Sequence, residues 1–381
     1  MSRDLWLLAI SMFTWGAGEG MFLYFQPLYL QKLHASPLTI GAILGALGLS
    51  MAVAHIPIGY LADKIGRRPL LWTAWIVGVV AAWIMALANT LPVFVIGLLV
   101  YGLSAFVMAP LNSYITAARG KLSVGRAITY ISAFYNGGAI LGPILGGWIG
   151  EQNGLQRVYL ISACVFILSF AFVLFVRPQP VESSQPGERQ TGFRVSTRFA
   201  IYLITVFLAM FAVLLPQPLA SNYLQNNRGL SIGQIGQLGS VAGVGIVVLY
   251  LVIGQFNARL GFLLGQAAVG LFSLVLWKGT GFPWFIVGYF LLGGDRVTRS
   301  LASAQTRELV HSSRMGLAYG ITETVKSLAF ILAPLLAGYL YTHDPTWMFS
   351  ASAFLVVVSL IIGMSINPMR KPVSQEILTD S

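Results

Sequence analysis

Gly59-Tyr60-Leu61-Ala62-Asp63-Lys64-Ile65-Gly66-Arg67-Arg68 places four charged side chains at the junction of two apolar runs, 38–62 and 70–88. The chain around it is poor in charge, with 9% charged and 56% hydrophobic residues among 381. Soluble domains carry roughly 25% charged residues, so a water-facing surface cannot be assembled from this composition. A helix crosses a bilayer with about 20 apolar residues, and such runs recur along the whole chain. They lie near 5–30, 38–62, 70–88, 92–118, 127–149, 158–176, 199–224, 233–256, 262–277, 282–304, 316–341 and 346–366, here called spans 1 to 12. The expected fold is an all-α membrane protein of twelve transmembrane helices.

The long polar connection 177–198, rich in Pro, Ser, Gln and Glu, reads as a flexible cytoplasmic linker. It divides the chain into one six-helix bundle, 1–176, and a second, 199–381, that ends in a short cytoplasmic tail. A constant offset of 191 residues aligns Gln26-Pro27-Leu28 with Gln217-Pro218-Leu219, Gly102 with Gly293, Pro143 with Pro334 and Gly147 with Gly338. With six helices each, the two repeats have the same orientation, related by an axis along the membrane normal.

A formal charge of +11 could point to nucleic acid, so the location of the bases decides. With the N-terminus cytoplasmic, sixteen of the 23 Lys and Arg residues fall in inner segments and four in outer loops: Lys32, Arg157, Arg228 and Lys278. That is the positive-inside pattern, which accounts for the charge without a nucleic-acid partner and places both termini inside. The expected location is the cell membrane, of the bacterial inner-membrane kind. Cys164 is the one cysteine, which excludes an intrachain disulfide, and it reads as a packing residue in an apolar stretch. The run 5–30 exceeds a signal-peptide core and reads as a retained helix. No Walker-type loop, HExxH or cysteine cluster occurs, so no enzyme, cofactor or metal site is expected.

The stretch 59–68 closely resembles the G-x-L-a-D-r-x-G-R-r signature of the major facilitator superfamily. With twelve spans, a central linker and a half-chain repeat, the resemblance covers essentially the whole chain. It implies that Gly59, Asp63, Gly66, Arg67 and Arg68 form a cytoplasmic latch holding the outward-facing state. Asp63 would sit at the negative pole of the span 2 dipole and so needs a positive partner. The second copy, Gly254 to Gly261, has Ala258 in place of the acid, which makes any latch asymmetric. Gly138, Gly142, Pro143, Gly146 and Gly147 in span 5 look like the second half of the superfamily's antiporter signature, although Thr129 stands where its earlier glycine belongs. Small residues at spacing four let helices approach, and Pro143 removes one backbone hydrogen bond, so ordinary packing asks for the same pattern. The superfamily's drug:proton antiporters carry an arginine in span 4, a position filled here by Leu98.

Six charged residues fall at membrane depth, where each costs roughly 2.5–3.5 kcal/mol on insertion scales. They are Glu19, Asp295, Arg296, Arg299, Glu323 and Lys326. Spans 3, 6, 9 and 12 contain none, as the resemblance implies if spans 1, 4, 7 and 10 line the cavity. Glu19 shares a helix face with Trp15 and Gln26 and leads as the proton-coupling site, with Asp295 and Glu323 as further candidates. Asp295 and Arg299, at spacing four, are placed to neutralise each other and leave Arg296 in surplus. The stripe of all three is expected to face the cavity. Glu323 and Lys326 can pair locally at spacing three. Arg296, Arg299, Lys326, Trp15 and Gln26 are the expected substrate contacts. The expected function is alternating-access transport by a monomer, exchanging a small organic or amphipathic solute for protons, with membrane lipids as surroundings. A symporter or exchanger for an anionic solute gripped by Arg296 and Arg299, or a lipid flippase, fits the same fold.

The topology has a direct test. After Cys164→Ser, single cysteines at Ser184 and at Asn227 are expected to react with an impermeant thiol reagent from opposite sides of the membrane; labelling from one side overturns the twelve-span arrangement.

Overall fold

The computed structural model describes residues 1–54, 67–179, 197–309 and 315–365, and among them every regular element is a helix. Gly59, Asp63 and Gly66 lie outside the described residues, as does 180–196 of the linker. Span 2 is Pro37–Ala54, span 3 Arg67–Leu87, span 5 Val124–Asn153 and span 6 Leu155–Leu174. In the second half, span 8 is Ile232–Ile253, span 9 Ala258–Lys278, span 11 Met315–His343 and span 12 Trp347–Ser365. The chain thus forms two six-helix halves. Leu251, Phe354 and Ile204 are each about two-thirds exposed, an outer surface that suits lipid and not water. Cys164, expected to pack inside, is exposed as well.

The sequence leads one to expect twelve unbroken helices, but spans 1, 4, 7 and 10 are interrupted. Span 1 is Arg3–Leu23 followed by Gln26–Lys32, with Pro27 in the first turn of the second piece. Span 4 passes through a 3-10 turn, Ser104–Val107, between Leu91–Leu103 and Met108–Ala118. Span 7 stops at Leu214 and resumes at Ala220, because Pro216 and Pro218 supply no amide hydrogens to carry the ladder across. Span 10 breaks at Gly293, between Phe282–Leu292 and Gly294–Leu309. Among the described residues nine helical segments are long and apolar enough to cross a membrane by themselves; spans 1, 7 and 10 are not among them.

Small residues set the closest approaches. A Cβ on Gly138 would lie 2.0 Å from the Phe13 carbonyl oxygen, one on Gly142 2.4 Å from that of Ala17, and one on Gly146 2.0 Å from that of Met21. Span 5 is therefore seated on span 1 backbone to backbone along one stripe. A second stripe of span 5 meets the other half: a Cβ on Gly236 of span 8 would reach the Pro143 carbonyl at 2.4 Å. The repeat makes the matching contact between spans 2 and 11, where a Cβ on Gly41 would lie 2.3 Å from the Pro334 carbonyl. These cross-half contacts lie toward the end that carries the 33–36 loop, called the outer end from the charge pattern. Gln31 and Asn222 hydrogen-bond there, Asn226 Nδ2 donates to Gln31 Oε1 at 3.1 Å, and the Gly233 amide donates to Glu151 at 2.8 Å. The structure is closed at that end.

Spans 3, 6, 9 and 12 are held to their halves by buried polar contacts. Trp75 donates to Ser169 at 3.0 Å and Ser11 to the Ser169 carbonyl at 2.9 Å, while Ser359 donates to Gln266 and Ser352 to the Ala212 carbonyl, each at 2.7 Å. Arg68, expected in a latch, lies over the Trp72 ring at 4.1 Å and donates to the Leu174 carbonyl at the end of span 6. Arg259, 191 residues on, donates to the Met364 carbonyl of span 12 at 2.8 Å. Arg67 opens span 3.

The two stripes of span 5 separate in experiment. Gly138→Ala forces spans 1 and 5 apart and is expected to cost about 1–3 kcal/mol of stability, the range for overpacking, read as a lowered thermal midpoint of purified protein. Gly236→Ala strains only the contact between halves. Spin labels at the outer ends of spans 5 and 8 are then expected to move apart with little loss of stability; unchanged distances refute that division of roles.

Candidate functional site

Span 1 brings Glu19 to the junction of the halves. Glu19 is half-buried, and Tyr135 of span 5 donates its hydroxyl to Glu19 Oε2 at 2.8 Å. That bond follows from the glycine contacts: Gly16, one turn before Glu19, sits directly on the Tyr135 carbonyl. Tyr101 of span 4 approaches the same carboxylate. From the second half, Arg296 faces this group and lies within electrostatic reach of Glu19, Tyr135 and Tyr24. Its side chain is exposed although it lies between the halves. Among the described residues no carboxylate oxygen comes within salt-bridge distance of Arg296, so Glu19 and Arg296 face each other unjoined.

The neighbouring charges are committed elsewhere. Asp295 is 5% exposed and takes both a 2.9 Å bond from Arg299 Nε and a second from its Nη2. The Arg299 guanidinium in turn lies 4.7 Å over the Phe330 ring of span 11. Of the stripe expected to face the cavity, Asp295 and Arg299 are thus engaged with each other and with span 11, while Arg296 is exposed. Glu323 and Lys326 pair at 2.6 Å, and Lys326 also donates to Ser303 at 2.8 Å, which binds it into the contact of spans 10 and 11. Lys326 is nearly buried and Glu323 exposed.

Other expected contacts are engaged in packing. Trp15 stacks on Phe166 with centroids 4.3 Å apart, meets Trp75 edge-on and covers Gly78, so it wedges spans 3 and 6 against span 1. Gln26 is buried in the short outer piece of span 1. Gly138, Gly142, Pro143, Gly146 and Gly147 are joints between helices, and Leu98 is fully buried in core packing. Sequence reasoning did not single out the tyrosines of the junction. Tyr24 and Tyr289 approach across the halves with centroids 6.3 Å apart, and the Tyr250 hydroxyl donates to the Arg296 carbonyl at 2.8 Å. Nothing in the spacing of 15 tyrosines marks these; only the pairing of span 1 with span 5 could have pointed to Tyr135. Also missed was Asp4, which is buried, bound by Arg177 at 3.0 Å and so tied to the start of the linker, whose Arg177 carbonyl accepts from Tyr114 at 2.7 Å.

The sequence pattern of the Major Facilitator Superfamily matches residues 8–261 and again 202–378. The chain is 24% identical over 380 residues to the quinolone resistance protein NorA of Staphylococcus aureus, covering 95% of this chain and 97% of that one. It is 20% identical over 377 residues to multidrug resistance protein 2 of Bacillus subtilis, covering 94% of each. Among solved structures, that of the nucleoside transporter NupG superposes with a TM-score of 0.79 at 16% identity, over 96% of this chain and 99% of that one.

The Asp295–Arg299 pair can be weighed by a double-mutant cycle. Asp295→Asn strands a partly buried guanidinium and is expected to lower the thermal midpoint more than Asp295→Asn with Arg299→Gln, a coupling of about 0.5–3 kcal/mol. Additive effects mean that the pair carries no shared stability.

Proposed function

The chain belongs to the Major Facilitator Superfamily and is a multi-pass membrane transporter of small molecules, not an enzyme; on that premise we propose that it exports a small organic or amphipathic solute in exchange for protons, with Glu19 as the exchanging carboxyl. The observation that carries this reading is the Tyr135-bound Glu19 at the junction of the halves, opposite an uncompensated Arg296. A carboxyl there meets the inner solution when the outer end is closed. Rocking of 1–176 against 199–381 turns it to the outer solution, and the 59–68 stretch latches the inner end in that second state. The protein acts as a monomer in a cell membrane with both termini inside. Resistance proteins among its relatives support export of an amphipathic solute.

One observation favours a second reading. The guanidinium of Arg296, free of any carboxylate among the described residues, suits an anionic solute carried together with a proton.

Transport by purified protein in proteoliposomes, with a quinolone as probe and an entrapped pH dye, distinguishes them. Exchange predicts proton flux opposite to solute flux; flux in the same direction overturns it. Glu19→Gln is expected to abolish the response to an imposed pH gradient. Because Glu19 and Arg296 are not joined in a fixed pair, Glu19→Gln with Arg296→Gln is expected to fold and remain uncoupled. A double variant that still drives the probe with the gradient removes Glu19 from the proposal.

A further inference from the structure

The junction holds two opposite charges that the fold leaves unjoined. Among the described residues, the carboxylate of its own half that lies within electrostatic reach of Arg296 is Asp295, and Arg299 engages it in two bonds. On the facing half Glu19 is met by neutral donors, Tyr135 at 2.8 Å and Tyr101. Around them stand ring faces, Tyr24 against Tyr289 and Tyr250 beside the Arg296 backbone. The junction therefore presents one anionic pole, one cationic pole and aromatic rings.

Resting on the exchange reading above, we infer that the solute is a zwitterion with a planar aromatic body, its cationic group replacing the proton at Glu19 and its anionic group docking on Arg296. Exchange requires that proton and solute exclude each other. A purely anionic solute fails this: protonating Glu19 leaves the junction with the uncompensated charge of Arg296, so proton and anion strengthen each other's binding, which is co-transport. A purely cationic solute does compete for Glu19, but it must enter the field of a guanidinium that has no carboxylate within salt-bridge distance among the described residues. A zwitterion meets both poles. It is repelled by neither, it cannot keep its cationic contact once Glu19 is protonated, and its planar body gains area against Tyr24 and Tyr250.

Three probes on one naphthalene body isolate the charges: 6-(aminomethyl)-2-naphthoate, 6-methyl-2-naphthoate and (6-methylnaphthalen-2-yl)methylammonium. Calorimetry on full-length transporter in nanodiscs is expected to give the zwitterion at least about tenfold tighter binding than either singly charged probe. Arg296→Gln is expected to erase its advantage over the cation, and Glu19→Gln its advantage over the anion. Wild-type protein provides the arm that needs no variant. Acidification is expected to weaken zwitterion binding and strengthen that of the naphthoate; Tyr101, Tyr135 and Arg296 face Glu19, and Asp295, Tyr24 and Tyr250 face Arg296. Equal affinity for all three probes, preference for a singly charged one, or binding of none overturns the inference. Binding is measured without a gradient, so this result and the direction of proton flux in proteoliposomes can fail independently.

Discussion

Backbone contact between helices that carry no side chain at the point of approach is the constraint on which the rest of this structure depends. In lipid there is no gain from hiding apolar surface between helices, so association rests on van der Waals contact and on how near two backbones can come. Span 5 uses that principle twice, once on each side. Gly138, Gly142 and Gly146 fuse it to span 1, and Pro143 with Gly147 presses it against span 8. The first seam fixes Tyr135 beside Glu19. The second closes the outer end and so decides from which side the acid is reached.

The same helix thus serves as an internal joint and as a sliding surface. The two roles differ in what they must survive. A seam within one half can be as tight as sterics allow, whereas in the proposed cycle one between halves has to part, and around it are bonds of moderate strength: amide pairs at Gln31, Asn222 and Asn226, and one carboxylate, Glu151, on the amide of Gly233. The buried serines that tie spans 6 and 12 to their halves are of the other kind, enclosed and never required to separate.

The membrane class, the number of spans and the repeat were legible because they depend on local hydropathy and on a fixed offset. Local charge pairs were legible too: Asp295 with Arg299 and Glu323 with Lys326 follow from helical spacing alone. What could not be read is anything set by how spans turn toward one another. Trp15 shares a face with Glu19 in a helical projection, yet that projection does not show that it stacks on Phe166 and Tyr101 and meets Trp75 edge-on. Asp295 and Arg296 are adjacent in sequence and end in different environments. The breaks in spans 1, 7 and 10 were marked by Pro27, by Pro216 and Pro218, and by Gly293, but hydropathy averages across them and reports one run.

Gln31 and Asn222 are separated by the repeat offset of 191 residues, so each meets its own counterpart. A contact of that kind is isologous, the sort that a twofold homodimer makes on its axis, where whatever one copy offers the other must match. A lysine or glutamate at such a position repels its copy. An amide both donates and accepts, which makes it one of the few polar groups that can pair with itself. The single polypeptide thus retains, at its outer seam, the chemistry of a symmetric dimer, while Glu19 and Arg296, with Met210 and Ala105 at the repeated positions, are where its halves have ceased to be copies.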